Sequence, residues 1–444
     1  VFLLMLFTHC SFDNKTGIWL NERKPEISKT IENKSLEDAF KKEKLILKEK
    51  KITGKNKIQL GKKLKNNSWL QSNFNNFNNY EKINFKNENI KILRTARLAK
   101  LPMLSQNSVK IKAPLYYKDT MVYSDSKGNI NIYSLGVKKK VFTFNFYKKK
   151  FKKIKKNINL LIKDNVIFAS DNLGYLYALD VNKSKIIWAQ NFGIPFRSEI
   201  KFINGQIILA NQDNTIYSIN HKNGDKNWTY GTSNQFLKSN FKNSIVMNNE
   251  GNILFLNTNG ELYNIDVNIG IKWMLNFKPT SSDEEAQLFL SVPLIINKDN
   301  LILANNNMVQ NLNPFTGLKK WSKQLSVDIK GSISGKHLFL LSKKLLICIE
   351  LETGEIVWSR DFQNVNKDNI NYKKLMNIGD IRNLSIANDE ILLFSSNGYL
   401  LSFNHNNGDL KTVNKISKGL GSKPIFVEGN LYFFDESYRL VKYN

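Results

Sequence analysis

Short segments of alternating apolar and polar residues fill most of the chain, and turns rich in Asn, Gly, Asp and Lys separate them. Residues 165–188 read NVIFASDNLGYLYALDVNKSKIIW, and residues 205–228 read GQIILANQDNTIYSINHKNGDKNW. In both, an apolar run, a polar turn, a second run with Leu-Tyr or Ile-Tyr and a tight turn precede a Trp. This two-residue period predicts β-strands rather than helices.

The same unit recurs along the chain. One position in the second run, often a Tyr, aligns the copies, which have Tyr133, Tyr177, Tyr217, Tyr263, Gln310, Ile347, Leu401 and Val441 there. The seven intervals between these eight positions average 44 residues. Repeats of this length that contain short strands are typical of four-stranded propeller blades. The sequence therefore predicts an all-β fold, an eight-bladed β-propeller of four-stranded blades.

Glycines mark the turn between the third and fourth strands of several copies, at Gly224, Gly317, Gly354 and Gly408. We predict two-residue hairpins there, because such turns need the positive φ that Gly adopts freely. A Trp follows the turn in five copies, at Trp188, Trp228, Trp273, Trp321 and Trp358. We expect these side chains to pack between neighbouring blades rather than to line a binding pocket.

The eighth copy has three strands before the sequence ends at Asn444. A ring left open there would expose two strand edges. Residues 89–98, NIKILRTARL, directly precede the first copy. We predict that this N-terminal strand completes the eighth blade and closes the ring.

The N-terminal residues predict export and anchoring. Residues 1–9 are largely apolar and fit a truncated signal peptide, and polar residues follow Cys10. An apolar run that ends at a single Cys predicts a bacterial lipoprotein acylated at Cys10, although His9 stands where a small residue is usual. The alternative is a plain signal peptide with an incidental cysteine. Residues 10–67, rich in Lys, Asn and Glu, predict a disordered, flexible tether before a propeller over 68–444.

The net charge of +28 allows two interpretations. Lys and Asn are abundant throughout, which fits a biased coding composition, whereas a functional excess of charge would favour an anionic surface. The Lys148–Lys156 run is either a solvated loop or a patch for lipid headgroups.

Residues with catalytic chemistry are scarce. The chain has two cysteines and four histidines, and it has no G-x-S-x-G or H-E-x-x-H motif. His221 and His405 occupy the same turn position in two copies, which favours a structural role, and Cys348 fits a core position. We expect no enzyme activity, no cofactor and no metal.

The pattern of an apolar strand, G-x-L-Y-A-L-D, a turn and Trp resembles the PQQ-type repeat of quinoprotein dehydrogenases. Together with the Cys-terminated leader, it most resembles the BamB family of outer-membrane protein assembly factors. Three further segments are similar to that family: 68–79, which contains a W-x-Q motif, the polar insert over 281–293, and the final blade over 418–444.

This resemblance implies a non-catalytic scaffold that is lipid-anchored at the periplasmic face of the outer membrane, a monomer within a larger complex. The implied partner is a BamA-like barrel assembly subunit, and nascent outer-membrane proteins are a further implied ligand. In the family, a Leu-Arg pair before the fourth blade contacts that subunit. Here Leu237 and Lys238 align with the pair, next to Phe236 as an apolar anchor. Acidic contact residues of the family have no clear counterpart, although Asp283, Glu284 and Glu285 lie near the aligned position.

Two other classes of function stay open. A quinone-dependent dehydrogenase would share the repeat, but its adjacent cysteines and its pocket-building insertions have no counterpart here. A membrane-surface module would use the lysine run, whereas nucleic acid is not expected as a partner of an exported protein.

Overall fold

The computed structural model describes residues 49–51, 57–86, 91–99, 111–147, 151–233, 242–278, 288–364 and 371–444, together with the backbone of Ser11–Phe12 and Trp19–Leu20. The chain divides into two compact units, residues 1–47 and 48–444. In the first, β1 (Ser11–Phe12) pairs antiparallel with β2 (Trp19–Leu20). The second unit contains the repeats.

The repeats form eight sheets, in which the consecutive strands of each blade pair antiparallel. Three strands precede the first sheet: β3 (Lys63–Leu64), β4 (Lys82–Ile83) and β5 (Ile92–Arg97). Blade 1 contains β6 (Leu115–Tyr117), β7 (Thr120–Ser124), β8 (Asn129–Ser134) and β9 (Lys139–Asn145). Blade 2 contains β10 (Asn159–Lys163), β11 (Val166–Ser170), β12 (Tyr175–Asp180) and β13 (Lys185–Asn191). Blade 3 contains β14 (Lys201–Ile203), β15 (Gln206–Ala210), β16 (Thr215–Asn220) and β17 (Lys226–Gly231). Blade 4 contains β18 (Ser244–Met247), β19 (Ile253–Leu256), β20 (Glu261–Asp266) and β21 (Gly270–Asn276).

The second half of the ring continues the same order. Blade 5 contains β22 (Ile295–Asn297), β23 (Asn300–Ala304), β24 (Val309–Leu312) and β25 (Lys319–Lys323). Blade 6 contains β26 (Ser332–Ser334), β27 (His337–Ser342), β28 (Leu345–Glu350) and β29 (Ile356–Asp361). A short helix, α1 (Tyr372–Met376), precedes blade 7, which contains β30 (Ile381–Ala387), β31 (Glu390–Ser395), β32 (Tyr399–Asn404) and β33 (Leu410–Lys415). Blade 8 contains β34 (Ile425–Val427), β35 (Asn430–Phe434) and β36 (Arg439–Tyr443).

The predicted fold is confirmed. All eight positions that aligned the copies lie in the third strand of a blade. The third strands are buried at their centres because both faces pack against neighbouring blades, and Tyr177, Leu401 and Val441 have no exposed surface. Most residues of the fourth strands are exposed or half-buried, as expected for an outer edge, and in β13 only Trp188 is buried.

An N-terminal strand closes the ring, as predicted. β5 pairs antiparallel with β36, with Ile92 opposite Tyr443 and Arg97 opposite Arg439. This strand takes the outermost position of blade 8, next to the last strand of the sequence. The closing segment predicted over 89–98 therefore contains the observed strand.

The turns between third and fourth strands differ from the predicted two-residue hairpins. The Gly224 N–H donates to the carbonyl oxygen of Asn220, four residues earlier, at 2.9 Å. Gly354 makes the same bond to Glu350. Each glycine keeps the positive φ that motivated the prediction, +82° and +74° respectively. The longer turn accompanies a register shift between the two strands in blades 3 and 6.

The predicted tether extends to residue 67, but residues 57–67 contact the propeller. Ile58 is buried in an apolar cluster with Phe339 and Trp358. The Gly61 N–H donates to the Ser334 hydroxyl at 2.9 Å. The tether boundary at residue 67 is therefore wrong: isolated apolar residues such as Ile58, too sparse to predict a core of their own, are buried against blades 6 and 7.

Candidate functional site

The predicted partner-binding residues Phe236, Leu237 and Lys238 lie outside the described residues, as do Cys10 and Asp283 to Glu285. The structure describes both ends of the connection that contains the first three. Ser233 follows β17 of blade 3, and Lys242 precedes β18 of blade 4. The connection therefore belongs to the end of the ring at which each blade's innermost strand begins.

Side-chain amides fix the polypeptide on both sides of this connection. Asn259 Nδ2 donates to the carbonyl oxygen of Ser233 at 2.7 Å, and Asn257 Nδ2 donates to the hydroxyl of Thr232 at 2.9 Å. On the other side, Asn243 Nδ2 donates to the carbonyl oxygen of Asn211 at 2.8 Å. These buried bonds hold both ends of the connection on the rigid blades.

A segment that the repeat pattern does not reveal lines the inside of the ring. Residues 66–86, here called the axial segment, contact the innermost strands of the blades in chain order. Trp69 and Tyr116 of blade 1 exchange two backbone hydrogen bonds of 2.9 Å. The following contacts reach blades 2 to 8 in turn: Leu70 with Ile162, Asn76 with Phe202 and Met247, Phe77 with Ile296, Asn79 with Ile333, Tyr80 with Ser385, and Lys86 with Gly429. The axial segment therefore makes one circuit of the ring.

Three aromatic side chains of the axial segment contact one another at the centre of the propeller. The Trp69 and Phe74 ring centroids are 5.0 Å apart, and the Tyr80 ring lies 5.8 Å from Trp69 and 5.6 Å from Phe74. These residues neighbour the contacts with blades 1, 3 and 7, so their rings approach from different sides. Burial raises the pKa of Tyr80 to about 12, opposed by its hydrogen bond to Ser385. The chain's own aromatic side chains thus occupy the centre of the ring.

Asparagine amides give the axial segment its specific register. Asn78 Nδ2 donates to the carbonyl oxygen of Leu294 at 3.0 Å, and Asn78 Oδ1 accepts from Lys201 Nζ at 2.6 Å. Asn79 exchanges two bonds with the backbone of Ile333. A sequence signal existed in the five asparagines among residues 73–79. It was missed because Asn is abundant throughout the chain.

Lysines gather where the innermost strands begin. Lys242, Lys330 and Lys423 each lie two residues before the first strand of a blade, and Glu199 has the same position in blade 3. Lys201 Nζ donates to the Asn75 carbonyl oxygen at 2.8 Å, and Lys330 Nζ donates to that of Asn78 at 2.8 Å. These lysines therefore lie directly against the axial segment.

Burial and mutual repulsion weaken the basicity of this group. Burial lowers the pKa of Lys330 to about 7, with repulsion from Lys423 as the next cause. Burial also lowers the pKa of Lys201 to about 8, opposed by Glu199. For Glu199, burial alone would raise the pKa, but attraction to Lys242 and the other lysines outweighs it and lowers the pKa.

The lysine run is partly structural. Lys156 is buried, its Nζ donates to the Phe151 carbonyl oxygen at 2.5 Å, and burial lowers its pKa. Lys152, Lys153 and Lys155 are exposed. The described part of the run, residues 151–156, therefore divides into a buried lysine, Lys156, and exposed lysines on the loop between blades 1 and 2.

The remaining candidates have structural roles. His221 Nδ1 and His405 Nδ1 each lie 2.7 Å from a backbone carbonyl oxygen, those of Gly205 and Asp389. Cys348 is fully buried, and burial raises the pKa of its thiol well above the ordinary value. Within the part of the chain that the structure describes, no three His, Cys, Asp or Glu side chains gather as a metal site would require. None of the described helices is long and apolar enough to cross a membrane.

Comparison with known proteins first defines the class, a propeller of PQQ-type repeats. The family model described as outer membrane protein assembly factor BamB matches residues 148–360, the repeats of blades 2 to 6. BamB of Moranella endobia is 20% identical over 268 residues, which cover 59% of this chain and 65% of that protein. BamB of Shewanella oneidensis is 21% identical over 330 residues, which cover 62% of this chain and 81% of that protein. The match thus spans slightly less than two thirds of the Moranella protein.

Solved structures share the fold. BamB from Moraxella catarrhalis superimposes with a TM-score of 0.60 at 15% identity, covering 80% of this chain and 99% of that one. A quinohemoprotein alcohol dehydrogenase from Comamonas testosteroni reaches the same TM-score at 10% identity, covering 85% and 80%. The resemblance to BamB is thus confirmed by family model, sequence and fold, whereas the likeness to the dehydrogenase is one of fold alone.

Proposed function

We propose that this chain is a non-catalytic accessory scaffold of an outer-membrane β-barrel assembly machinery. The observation that carries the proposal is the match of the BamB family model to five consecutive blades. The structure adds a rigid ring with connections of variable length at one end, which is where propellers commonly bind partners. A scaffold needs no reaction centre, which agrees with the aromatic filling of the axis by Trp69, Phe74 and Tyr80.

The partner surface that we propose is the connection with Phe236, Leu237 and Lys238, and the partner is a BamA-like barrel subunit. Its supports are the alignment with the family's contact pair and the fixed ends of the connection at Ser233 and Asn243. Lys238 replaces an Arg of the family, so this contact lacks a bidentate donor and depends more on the apolar neighbours.

Variants of this connection test the proposal. Leu237→Asp should weaken binding of the barrel subunit by about 2 kcal/mol or more if Leu237 fills a pocket of the partner. Lys238→Glu should mainly slow association and alter its salt dependence. Leu318→Asp, at a 70% exposed residue in a third-to-fourth-strand turn of blade 5, is a control for an added charge.

Affinity for the purified periplasmic domains of the barrel subunit is the measurement, with the melting temperature of each variant recorded alongside. Unchanged affinity in the Leu237→Asp, Lys238→Glu double variant would place the interface elsewhere. A large drop in melting temperature would instead assign Leu237 to the interior of the ring.

Anchoring at Cys10 is a separate part of the proposal. An acylated Cys10 would hold the chain at the periplasmic face of the outer membrane, with the intervening residues as a spacer. A Cys10→Ala variant expressed with a complete signal sequence should leave the membrane fraction after a high-salt wash. Retention equal to that of the unmodified chain would contradict a lipid anchor.

The alternative function is a quinone-dependent dehydrogenase, favoured by the fold shared with the Comamonas enzyme. Calorimetry of the purified chain with pyrroloquinoline quinone and Ca²⁺ distinguishes the two. We expect no saturable heat, because side chains of the axial segment occupy the centre of the ring. Micromolar binding at a single site would replace the scaffold proposal.

A further inference from the structure

Cationic side chains from several blades converge above the axial segment. Lys112 precedes blade 1, Lys201 begins blade 3, and Lys242, Lys330 and Lys423 precede blades 4, 6 and 8. Among the described residues, Glu199 is the carboxylate whose charge acts on Lys112, Lys201 and Lys330. Five lysines thus accompany one glutamate at one mouth of the ring.

Hydrogen bonds connect these groups through the axial segment and the innermost strands. Asn73 Nδ2 donates to Glu199 Oε2 at 2.8 Å, and Lys242 Nζ lies 3.7 Å from Glu199 Oε1. Lys112 Nζ donates to Asn159 Oδ1 of blade 2, whose Nδ2 donates to the Ser198 carbonyl oxygen at 2.9 Å. Lys423 Nζ lies 3.5 Å from Asn73 Oδ1. The five lysines therefore hold defined positions around the axis.

Among the described residues, the cluster has a closed floor and an open side. Asn75 and Asn78 of the axial segment accept hydrogen bonds from Lys201 and Lys330 and form the floor. Lys242 and Lys423 are exposed, and the Lys242 side chain retains 53% of its accessible surface. The excess positive charge thus faces solvent at the end of the ring where the innermost strands begin.

We propose that this mouth of the ring binds an acidic peptide segment of another protein, with its carboxylates on the lysines before blades 4, 6 and 8. A set of like charges close together is unfavourable alone and becomes favourable when an opposite charge enters. The charges are spread over several blades, which suits a chain of carboxylates better than a single ion. The site contains none of residues 232–240, so it goes beyond the proposed function and does not depend on it.

Peptide binding to the full chain is the test. The probe is a fluorescently labelled hexapeptide of alternating Asp and Glu with blocked ends, followed by anisotropy at low salt. A matching Asn/Gln hexapeptide tests for charge, and inorganic phosphate tests for a small anion. We expect saturable binding of the acidic peptide, none of the amide peptide, and loss of binding as salt screens the charges.

Matched variants locate the site. Lys330→Gln with Lys423→Gln should weaken binding of the acidic peptide by about tenfold or more. Lys183→Gln with Lys222→Gln removes the same charge from exposed turns of blades 2 and 3 at the opposite end of the ring, and it should change affinity by less than about twofold. Lys423→Gln alone, at an exposed residue, provides a variant that folds if the first pair does not.

The outcomes separate the possibilities. No saturable binding, or an equal loss in both double variants, would overturn the proposal. Displacement of the peptide by equimolar phosphate would assign the site to a small oxyanion instead of an acidic segment. Leu237→Ala adds no charge and should leave peptide affinity unchanged, so failure of the partner surface and failure of this site give different results.

Discussion

The indole Nε1 of Trp321 donates a 2.8 Å hydrogen bond to the backbone carbonyl oxygen of Leu351, which belongs to the next blade. Three other junctions repeat this relationship, in the pairs Trp188 with His221, Trp273 with Phe315 and Trp358 with His405. Trp228 differs: its Nε1 is buried and has no hydrogen-bond partner among the described residues. The turn that it faces in blade 4 is one residue shorter than the others.

This difference provides an internal control for the blade-to-blade bond. Trp321→Phe and Trp228→Phe remove the same indole atoms, but only the first removes a hydrogen bond. We expect Trp321→Phe to lower the free energy of unfolding by about 1 kcal/mol more than Trp228→Phe. Urea denaturation of the two variants measures the difference. Equal losses would mean that the bond contributes nothing beyond packing.

Two properties favour glycine at position 354 in the third-to-fourth-strand turn: its backbone has a positive φ, and the neighbouring Trp leaves no room for a side chain. A Cβ added at Gly354 would lie 2.7 Å from the Trp321 ring, and the residue has φ +74°. Gly205 has a similar φ of +78° but nothing within 4 Å of an added Cβ. Gly354→Ala should therefore lower the melting temperature clearly more than Gly205→Ala. At Gly205 the added methyl group causes only the conformational strain of a positive φ, about 1 kcal/mol. Similar losses would show that the Trp ring moves aside without penalty.

Asn78 joins the axial segment to three blades and tests how far that segment stabilises the ring. Its side chain bonds to Leu294 and Lys201, and its carbonyl oxygen accepts from Lys330. Because Asn78 has φ +54°, Asn78→Gly removes the side-chain bonds without adding strain. We expect a loss of about 2 kcal/mol or more in denaturant unfolding. Asn204 has φ +48° and makes one exposed hydrogen bond, to Gly251. Asn204→Gly should therefore lower the free energy of unfolding by only a small fraction of that amount.

Stability should rise with pH above neutrality because of the buried lysines. The pKa of Lys330 falls from 10.5 to about 7 on folding, chiefly through burial and then through Lys423. Between these values the unfolded chain binds a proton that the folded chain lacks, so raising the pH favours folding. Lys201, lowered to about 8, acts in the same direction.

Lys330→Met isolates this effect. Its stability relative to the unmodified chain should be greatest near pH 7 and should decline towards pH 10. Lys222→Met, at an exposed turn, is the control. Melting temperatures across this range are the measurement, and a parallel pH dependence of Lys330→Met and the unmodified chain would exclude a titrating Lys330.

The repeat determined what was predictable. The position that aligns the copies recurs in every blade and the Trp and Gly positions recur in most of them, so one well-formed copy such as 165–188 identifies the others, and counting strands predicts the closing segment. The axial segment does not recur, and its contacts join residues far apart in sequence, for example Tyr80 with Ser385. Amide side chains that bond to backbone groups leave no periodic pattern. The lysine cluster was hidden for a similar reason, because Lys242, Lys330 and Lys423 align only when the strand starts are known.

Because the axial segment contacts every blade from the first to the eighth, its contacts are completed only after the last blade has formed. Residues 66–86 are synthesised before any blade, yet they bond to blade 1 through Tyr116 and to blade 8 through Gly429. Blade 8 is itself incomplete until Tyr443 pairs with Ile92. Contacts of such sequence separation slow folding because a long loop must close before they form. Blades are therefore free to form one by one as the chain emerges, but the centre of the ring is assembled last, from the earliest and the latest residues of the repeats together.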